Sequence, residues 1–231
     1  VPFENLDIHL GKRIVLSETA ILDKLLRQGR GGFCYELNYG FAYLLRQIGF
    51  SVDLLSARVF NGQSYGPEFD HMLLLVRHRD QAWIADVGFG ECFRTPLTLD
   101  GAVVSENGVV YKIVLEADGQ YVLLESKQDE HWKPQYQFRL TSHNLSDFDA
   151  MCAYQQNSPL SHFTQKSLCS IATNDGRLTI SNGLFISTKP ESRTESPIPS
   201  VDALRQQLQQ QFGIVLSTDD TLEKLLPVRV P

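Results

Sequence analysis

A glycine-rich turn that leads into a helix constrains this chain more than any other stretch. Residues 30–38 read Arg-Gly-Gly-Phe-Cys-Tyr-Glu-Leu-Asn, and apolar residues at helical spacing follow as far as Gly49, a typical helix end. Cys34 is therefore predicted at a helix N-terminus, where unpaired N–H groups and the helix dipole favour a thiolate. Such a position beside an imidazolium lowers a cysteine pKa from about 8.5 to roughly 3.5–7.5. The other reading of a lone cysteine is a small buried hydrophobe.

Two predicted strands, joined by a short polar link, supply partners for this thiol. With Arg77 paired to Ala82 in an antiparallel hairpin, His71 on the first strand would lie diagonal to Asp86 on the second. A buried aspartate needs a polar partner, and the histidine is the nearest candidate. Cys34, His71 and Asp86 are then a nucleophile, a base and the group that orients the base.

Four segments of the chain resemble a known family. They are VPFENLD from Val1, RGGFCYELN from Arg30, DHMLLLV from Asp70 and WIADVGFG from Trp83, and in this order they are similar to the arylamine N-acetyltransferases, particularly the bacterial ones. The stretch NSPLSHFT from Asn157 resembles the second half of the same family, so the resemblance covers nearly the whole chain.

The resemblance implies an α+β fold with an N-terminal helical bundle, a central antiparallel β-barrel and a C-terminal α/β lid around a papain-like Cys-His-Asp core. Because the chain opens without methionine inside the first segment, we expect the bundle to be truncated. The patterns themselves predict helices over 1–50, strands over 51–140 and mixed structure over 141–231. These are the expected subdomains: the first carries the nucleophile, the second carries His71 and Asp86, and the third is a linker and lid.

Two local patterns in the last third are predicted without the resemblance. Residues 189–200 are rich in Pro, Ser, Glu and Thr and are predicted to form a surface loop. Ser200 is a predicted N-cap for a helix with Leu204, Leu208 and Phe212 on one face.

The implied activity is acetyl-CoA-dependent acetylation of a small aromatic amine, hydrazine or hydroxylamine through an acetyl-Cys34 intermediate. His71 would pair with Cys34 and shuttle protons, and Asp86 would fix the histidine tautomer. The backbone N–H of Cys34 is the expected oxyanion donor. A cysteine hydrolase or a transglutaminase-like enzyme would use the same three residues, and a non-catalytic binding protein is a further alternative.

The resemblance also suggests residues that contact the substrates. Phe3, Val59 and Phe89 match family positions that line the acceptor pocket, although ordinary core packing would also suit them. Gly88 and Gly90 are expected to let the CoA pyrophosphate approach the backbone. In the nucleophile motif, Asn38 is expected to brace the first helical turn rather than to orient charge.

Composition excludes several other classes of function. The 231 residues carry a formal net charge of −6, which argues against a nucleic acid or an anionic membrane as partner. No apolar run approaches the roughly 20 residues of a membrane helix. The four cysteines are scattered without a CxxC pair, so we expect no metal and a reducing, cytoplasmic location. The sequence does not indicate an oligomeric state.

Overall fold

The computed structural model describes residues 1–127 and 131–226 of the chain. They form two compact units. The barrel unit is Cys34–Phe148, and the mixed unit is Val1–Phe33 together with the described part of Asp149–Pro231. The division at residues 50 and 140 expected above stays a prediction, and residues 227–231 of its last part lie outside the described residues.

Short helices open the mixed unit. Strand β1 (Phe3–Glu4) is followed by α1 (Leu6–Leu10) and by α2 (Glu18–Leu22), which continues as a π-helical turn over Asp23–Arg27. The hydroxyl of Ser17 accepts a hydrogen bond from the backbone N–H of Ala20 at 3.3 Å, so it caps α2.

The rest of the mixed unit is a sheet covered by a helix. Two helices, α4 (Asp149–Asn157) and α5 (His162–Gln165), precede strands β10 (Leu168–Ala172), β11 (Arg177–Ser181), β12 (Leu184–Lys189) and β13 (Ser192–Pro197). The antiparallel strand order is β1-β10-β11-β12-β13. Helix α6 (Val201–Phe212) begins at the N-cap Ser200 and packs Leu204, Leu208 and Phe212 against the sheet, as its spacing predicted.

The prediction of a surface loop over 189–200 is wrong. Strand β13 lies within this stretch and pairs along its whole length with β12. All six of its residues are exposed, so it lacks the alternation of apolar and polar residues by which a half-buried strand is recognised. Its polar composition reflects an edge position with no core on either face.

Buried charges tie the N-terminal elements of the mixed unit together. The Arg30 guanidinium donates to Glu4 Oε1 from Nε at 2.9 Å and to Asp7 Oδ1 from Nη2 at 3.0 Å. Lys24 Nζ reaches the other oxygen of Asp7 at 2.7 Å. All four side chains are buried, so two cations and two carboxylates neutralise each other inside the unit.

The barrel unit combines one helix with eight strands. Helix α3 (Cys34–Gln47) precedes β2 (Ser51–Val59), β3 (His71–His78), β4 (Gln81–Ala85), β5 (Leu97–Thr98), β6 (Val104–Glu106), β7 (Val109–Leu115), β8 (Tyr121–Ser126) and β9 (Lys133–Phe138). The sheet order is β5-β4-β3-β2-β9-β8-β7-β6, and β5 lies close to β7, so the antiparallel sheet curls into a near-closed barrel. Its interior is filled by apolar side chains such as Leu55, Leu73, Ile113 and Leu123.

Two features of this unit test sequence expectations directly. Arg77 pairs with Ala82 between β3 and β4, so the hairpin register is confirmed.

The buried face of α3 differs from the run of apolar residues in its sequence. Leu37 is buried, but Leu44 and Ile48 are 54% and 62% exposed. Asn38 is fully buried at the start of the helix, so this end of α3 carries a polar contact in place of an apolar one.

Candidate active site

Cys34 is the first residue of α3, as the glycine-rich turn predicts. Cys34 is 3% exposed. Because α3 is 14 residues long and begins at Cys34, this residue lies at the positive end of the helix dipole. In the mixed unit, the turn that leads to it needs glycine because a Cβ on Gly31 would overlap the carbonyl oxygen of Pro2.

His71 and Asp86 form a buried pair. His71 Nε2 lies 2.7 Å from Asp86 Oδ2, and the two residues are 2% and 7% exposed. An ionised carboxylate only accepts hydrogen bonds, so Nε2 carries the proton of this contact. The imidazole is therefore held in one tautomer, with Nδ1 as its basic nitrogen.

All the acceptor positions of Asp86 are occupied. Oδ2 accepts from His71 Nε2 and from the hydroxyl of Tyr136 at 3.1 Å. Oδ1 accepts from Asn38 Nδ2 at 3.0 Å and from the backbone N–H of Gly88 at 2.9 Å. Four donors match the roughly four lone-pair sites of a carboxylate, so the orientation of the group is fixed.

Asn38 connects the nucleophile helix to both partner strands. One turn after Cys34, its Nδ2 also donates to the carbonyl oxygen of Met72 at 2.6 Å, next to the histidine. Its Oδ1 accepts from the backbone N–H of Val87 at 3.0 Å, next to the aspartate. This amide therefore holds the first turn of α3 in register with the ends of β3 and β4.

Gly88 lets the loop after Asp86 lie directly on the start of α3. A Cβ at this position would stand 2.7 Å from Cys34 Cα and 2.7 Å from Asn38 Nδ2. Real Cβ atoms are not found so close to other atoms, so no other residue fits without displacing the helix. The close approach places Cys34 next to the loop that follows the aspartate of the buried pair.

Burial keeps the hydroxyl of Tyr136 and the thiol of Cys92, two groups that feel the charge of Asp86, in their protonated forms. The pKa of Tyr136 is raised well above its usual value, first by burial and then by the negative charge of Asp86. Its hydroxyl therefore stays a donor to that carboxylate. Burial also raises the pKa of Cys92, again with a contribution from Asp86, so this thiol is not a competing thiolate.

The residues predicted to contact substrates occupy different places. Phe89 is partly exposed, and its ring packs edge-on against His71 at 5.0 Å and against Tyr136 at 4.9 Å between centroids. Val59 pairs with Tyr136 across β2 and β9. Phe3 belongs to the mixed unit, where it lies in β1. At Gly88 the space that a Cβ would need is occupied by the first turn of α3. At Gly90 a Cβ would have no other atom within 4 Å.

Two contributors to the site were missed or misassigned from the sequence. Asn38 was expected to brace its own helical turn, but it bonds Asp86 and two strand ends. Its spacing of four residues from Cys34 places both on one helical face and could have revealed it. Tyr136 lies 50 residues from Asp86 along the chain, and no sequence signal connects the two.

Residues 1–127 and 131–226 contain no group of three or more His, Cys, Asp or Glu side chains placed to hold a metal ion. Over the same residues, none of the helices has the length and apolar character needed to span a membrane.

Comparison with known proteins identifies relatives over most of the chain. A family model described as N-acetyltransferase matches residues 1–221. The arylamine N-acetyltransferase / N-hydroxyarylamine O-acetyltransferase of Salmonella typhimurium is 38% identical over 219 residues, which are 93% of this chain and 77% of that protein. The arylamine N-acetyltransferase of Escherichia coli is 34% identical over 226 residues, covering 95% and 79%.

Solved structures agree with these sequence matches. The Salmonella typhimurium arylamine N-acetyltransferase superposes with a TM-score of 0.85 at 36% identity and covers 95% of this chain and 81% of that one. A Bacillus cereus arylamine N-acetyltransferase described as having a Cys-His-Glu catalytic triad gives 0.85 at 26% identity, covering 94% and 86%. The Mycobacterium marinum arylamine N-acetyltransferase, solved in complex with CoA, gives 0.81 at 26% identity, covering 93% and 81%.

Proposed function

Because this chain belongs to the arylamine N-acetyltransferase family of cysteine-triad acyltransferases, we propose that it moves an acetyl group from acetyl-CoA to a small aromatic amine by way of Cys34. The family predicted from the four sequence segments is thereby confirmed. The observation that supports the proposed route is the buried His71–Asp86 pair, whose following loop lies on the first turn of the helix that begins at Cys34. These three residues have the roles of nucleophile, base and orienting group in a ping-pong reaction.

In the first half-reaction, the proton of the Cys34 thiol passes to Nδ1 of His71. The thiolate attacks the thioester carbonyl carbon of acetyl-CoA, and the backbone N–H of Cys34 donates to the oxyanion that forms. The bond to the CoA sulfur breaks, and CoA leaves as a thiol with the proton held by His71. The products are CoA and a thioester between the acetyl group and Cys34.

In the second half-reaction, the nitrogen of an aromatic amine attacks this thioester. His71 takes one proton from the nitrogen, the carbon–sulfur bond breaks, and the proton returns to the Cys34 sulfur. An alkylamine resembling lysine, with a pKa of about 10.4, is almost fully protonated near pH 7 and lacks the lone pair for attack. An aromatic amine is neutral at that pH, so the site needs only a modest base.

The acceptor range follows from the same chemistry. Arylhydrazines attack through nitrogen and arylhydroxylamines through oxygen, and the name of the Salmonella relative includes the second activity for that protein. Phe89, packed on His71 and partly exposed, is the proposed wall for the aromatic ring, with Val59 and Phe3 as further candidates. Gly88 and Gly90 are proposed to contact CoA, the ligand of the Mycobacterium marinum relative.

Intact-protein mass spectrometry after brief mixing with acetyl-CoA tests the route. We expect one acetyl adduct on the wild type and on Cys92→Ala, no adduct on Cys34→Ala, and loss of the adduct when an aniline is added. Cys92 is a suitable control because it is a second thiol of the same unit whose pKa is raised.

Absence of an adduct on a folded wild type, or an adduct on Cys34→Ala, would refute the ping-pong route. In that case a cysteine hydrolase would be tested next with amide and ester substrates, since such an enzyme uses the same three residues. An adduct that water removes as fast as aniline does would also favour hydrolysis.

A further inference from the structure

Strand β13 gives the mixed unit a long and open sheet edge. In the part of the chain that the structure describes, it is the end strand of its sheet, and all six of its residues are exposed. The strands at the other sheet ends, β1, β5 and β6, have only two or three residues. Proteins keep edge strands short or covered because an open edge pairs readily with another strand. β13 pairs with β12 at six successive residues without a bulge, so its free side is a regular template for a further strand.

One hydrogen bond shows which backbone groups lie on this free side. The backbone N–H of Ile198 donates to the carbonyl oxygen of Gly183 at 2.8 Å, so Ile198 directs its backbone groups towards β12. Because this direction alternates along an antiparallel strand, Thr194 also faces β12. Arg193 and Glu195 therefore direct their N–H and C=O groups to the open side, where the described residues place no strand.

Arg193 and Glu195 carry opposite charges on one face of the sheet. The guanidinium donates to Glu195 Oε1 from Nε at 2.9 Å and from Nη2 at 2.6 Å. The two side chains are 60% and 43% exposed, so a second molecule can reach both of them. A guanidinium has five N–H donors, so Arg193 can hold another carboxylate beside this one.

Two copies of this edge are complementary in one antiparallel register. When Thr194 of each copy lies on a two-fold axis, Arg193 of each copy lies opposite Glu195 of the other. Because these residues direct their backbone groups outwards, each such pair exchanges two N–H···O bonds. Opposite charges at directly opposed positions attract each other, and on the other face Thr194 meets Thr194, which is also a favourable cross-strand pair.

The two neighbouring registers are unfavourable. A shift in one direction places Arg193 on the axis, where it faces Arg193 of the second copy. A shift in the other direction makes Glu195 face Glu195 and sets Arg193 against Pro197, which has no N–H to donate. Like charges at directly opposed positions destabilise a strand pair, so the order of the charges selects the register with Thr194 on the axis.

We propose that this chain forms a reversible homodimer in which β13 pairs with β13 of a second copy. The pairing joins the five-stranded sheets of the two copies edge to edge. Because a single strand pair buries little surface, the dimer belongs to the weak and transient class of interfaces.

Sedimentation equilibrium of the full chain, from about 10 µM to about 1 mM, tests the association. Two-fold symmetry applies each substitution twice, so Arg193→Glu and Glu195→Arg should each weaken it by about tenfold. The double exchange should restore it, and an equimolar mixture of the two single variants should form a heterodimer. The matched control is Arg27→Glu, which makes the same change in net charge at an exposed cation outside β13 and should associate as the wild type does.

Oxidative cross-linking tests the register separately. Thr194→Cys should form an intermolecular disulfide, because opposed residues of this kind have Cα atoms about 4.5 Å apart. Ser196→Cys is the matched control, since it lies on the same face of the strand but away from the axis and should not link to itself. The wild type, with its own four cysteines, gives the background.

A further variant removes one outward N–H without disturbing the hairpin. Glu195→Pro keeps the bonds to β12, so it should remain folded by circular dichroism and be monomeric. A wild type that stays monomeric at about 1 mM, charge reversals that associate as the wild type does, or a linked Ser196→Cys with an unlinked Thr194→Cys would each overturn the proposal. If Glu195→Pro is unfolded, the double charge exchange decides the outcome.

Discussion

Replacing Arg30 by methionine should destabilise the mixed unit strongly. The guanidinium is 4% exposed and donates to Glu4 and Asp7, so a methionine keeps the length of the side chain and removes the charge. Glu4 is 0% exposed and would lose the partner of its Oε1, while Asp7 would keep only Lys24. A buried carboxylate without its cation is left in a medium that does not solvate it.

The expected loss in the free energy of unfolding follows from leaving a buried carboxylate without its cation. Removing one partner of a buried ion pair costs about 3–5 kcal/mol. With a urea dependence of about 2.5 kcal/mol/M, the midpoint of unfolding should fall by roughly 1–2 M. The matched control is Arg27→Met, because Arg27 meets Asp23 at 3.4 Å with 85% of its side chain exposed. An exposed pair of this kind contributes about 0–1 kcal/mol, so its midpoint should shift by less than about 0.4 M.

Urea unfolding followed by far-UV circular dichroism, at pH 7 and at pH 4, measures both variants. Burial alone would raise the pKa of Asp7, but Lys24 and Arg30 outweigh it, and the pKa lies below its usual value. A carboxyl with a lowered folded pKa stabilises above its unfolded pKa of about 4, and this stabilisation is lost as pH falls through the folded value. The deficit of Arg30→Met should therefore be largest at pH 7 and smaller at pH 4. Equal midpoint shifts for the Arg30 and Arg27 variants at pH 7 would refute the reasoning.

Three further predictions concern the active site. Tyr136→Phe leaves one acceptor position of Asp86 empty, so kcat/KM for acetyl transfer should fall about tenfold, the equivalent of about 1.4 kcal/mol. Gly88→Ala forces a Cβ against Cys34, so initial-rate assays should show more than a hundredfold loss of activity together with a lower Tm. Iodoacetamide at pH 7 should alkylate Cys34 first in peptide mass mapping and leave Cys169 unmodified, because burial raises the pKa of Cys169.

Controls for these predictions come from the same unit or the same chain. The ring of Tyr121 stacks on Phe138, and its hydroxyl is not one of the four donors to Asp86, so Tyr121→Phe should keep full activity. Gly108→Ala sits at a positive φ of 79° with open space around it, so it should lower Tm without reducing activity. Alkylation in urea should label all four cysteines. Wild-type kinetics in Tyr136→Phe, full activity in Gly88→Ala, or equal labelling of the folded thiols would contradict the respective prediction.

The sequence predicted those parts of the fold in which the turn residues and the pattern of buried apolar residues indicate the same secondary structure. Cys34 begins a helix because glycines precede it and apolar residues follow at helical spacing. The pairing of Arg77 with Ala82 is fixed by a short turn between two strands with buried apolar residues. Strand β13 escaped prediction because all of its residues face solvent, and the backbone bonds that define it are not specified by side-chain type.

The side-chain types of the candidate site could be recognised in the sequence, whereas the residues that hold them in place could not. Cys34, His71 and Asp86 are side-chain types whose combination indicates acyl transfer, and a short hairpin joins the last two. Tyr136 reaches Asp86 because the strand order places β9 directly beside β2, although the two strands lie far apart in the chain. Contacts of this kind depend on the whole strand order, and a single sequence does not encode them locally.

The full set of bonds on Asp86 has an evolutionary consequence. A glutamate in its place would carry the carboxylate about 1.5 Å further along its side chain, away from four donors that are fixed by three other residues and one backbone N–H. A triad with glutamate, as described for the Bacillus cereus relative, is therefore not one substitution away from this chain. Asn38 and Tyr136 would have to change with it, so mutational paths that exchange the acid must pass through several linked positions at once.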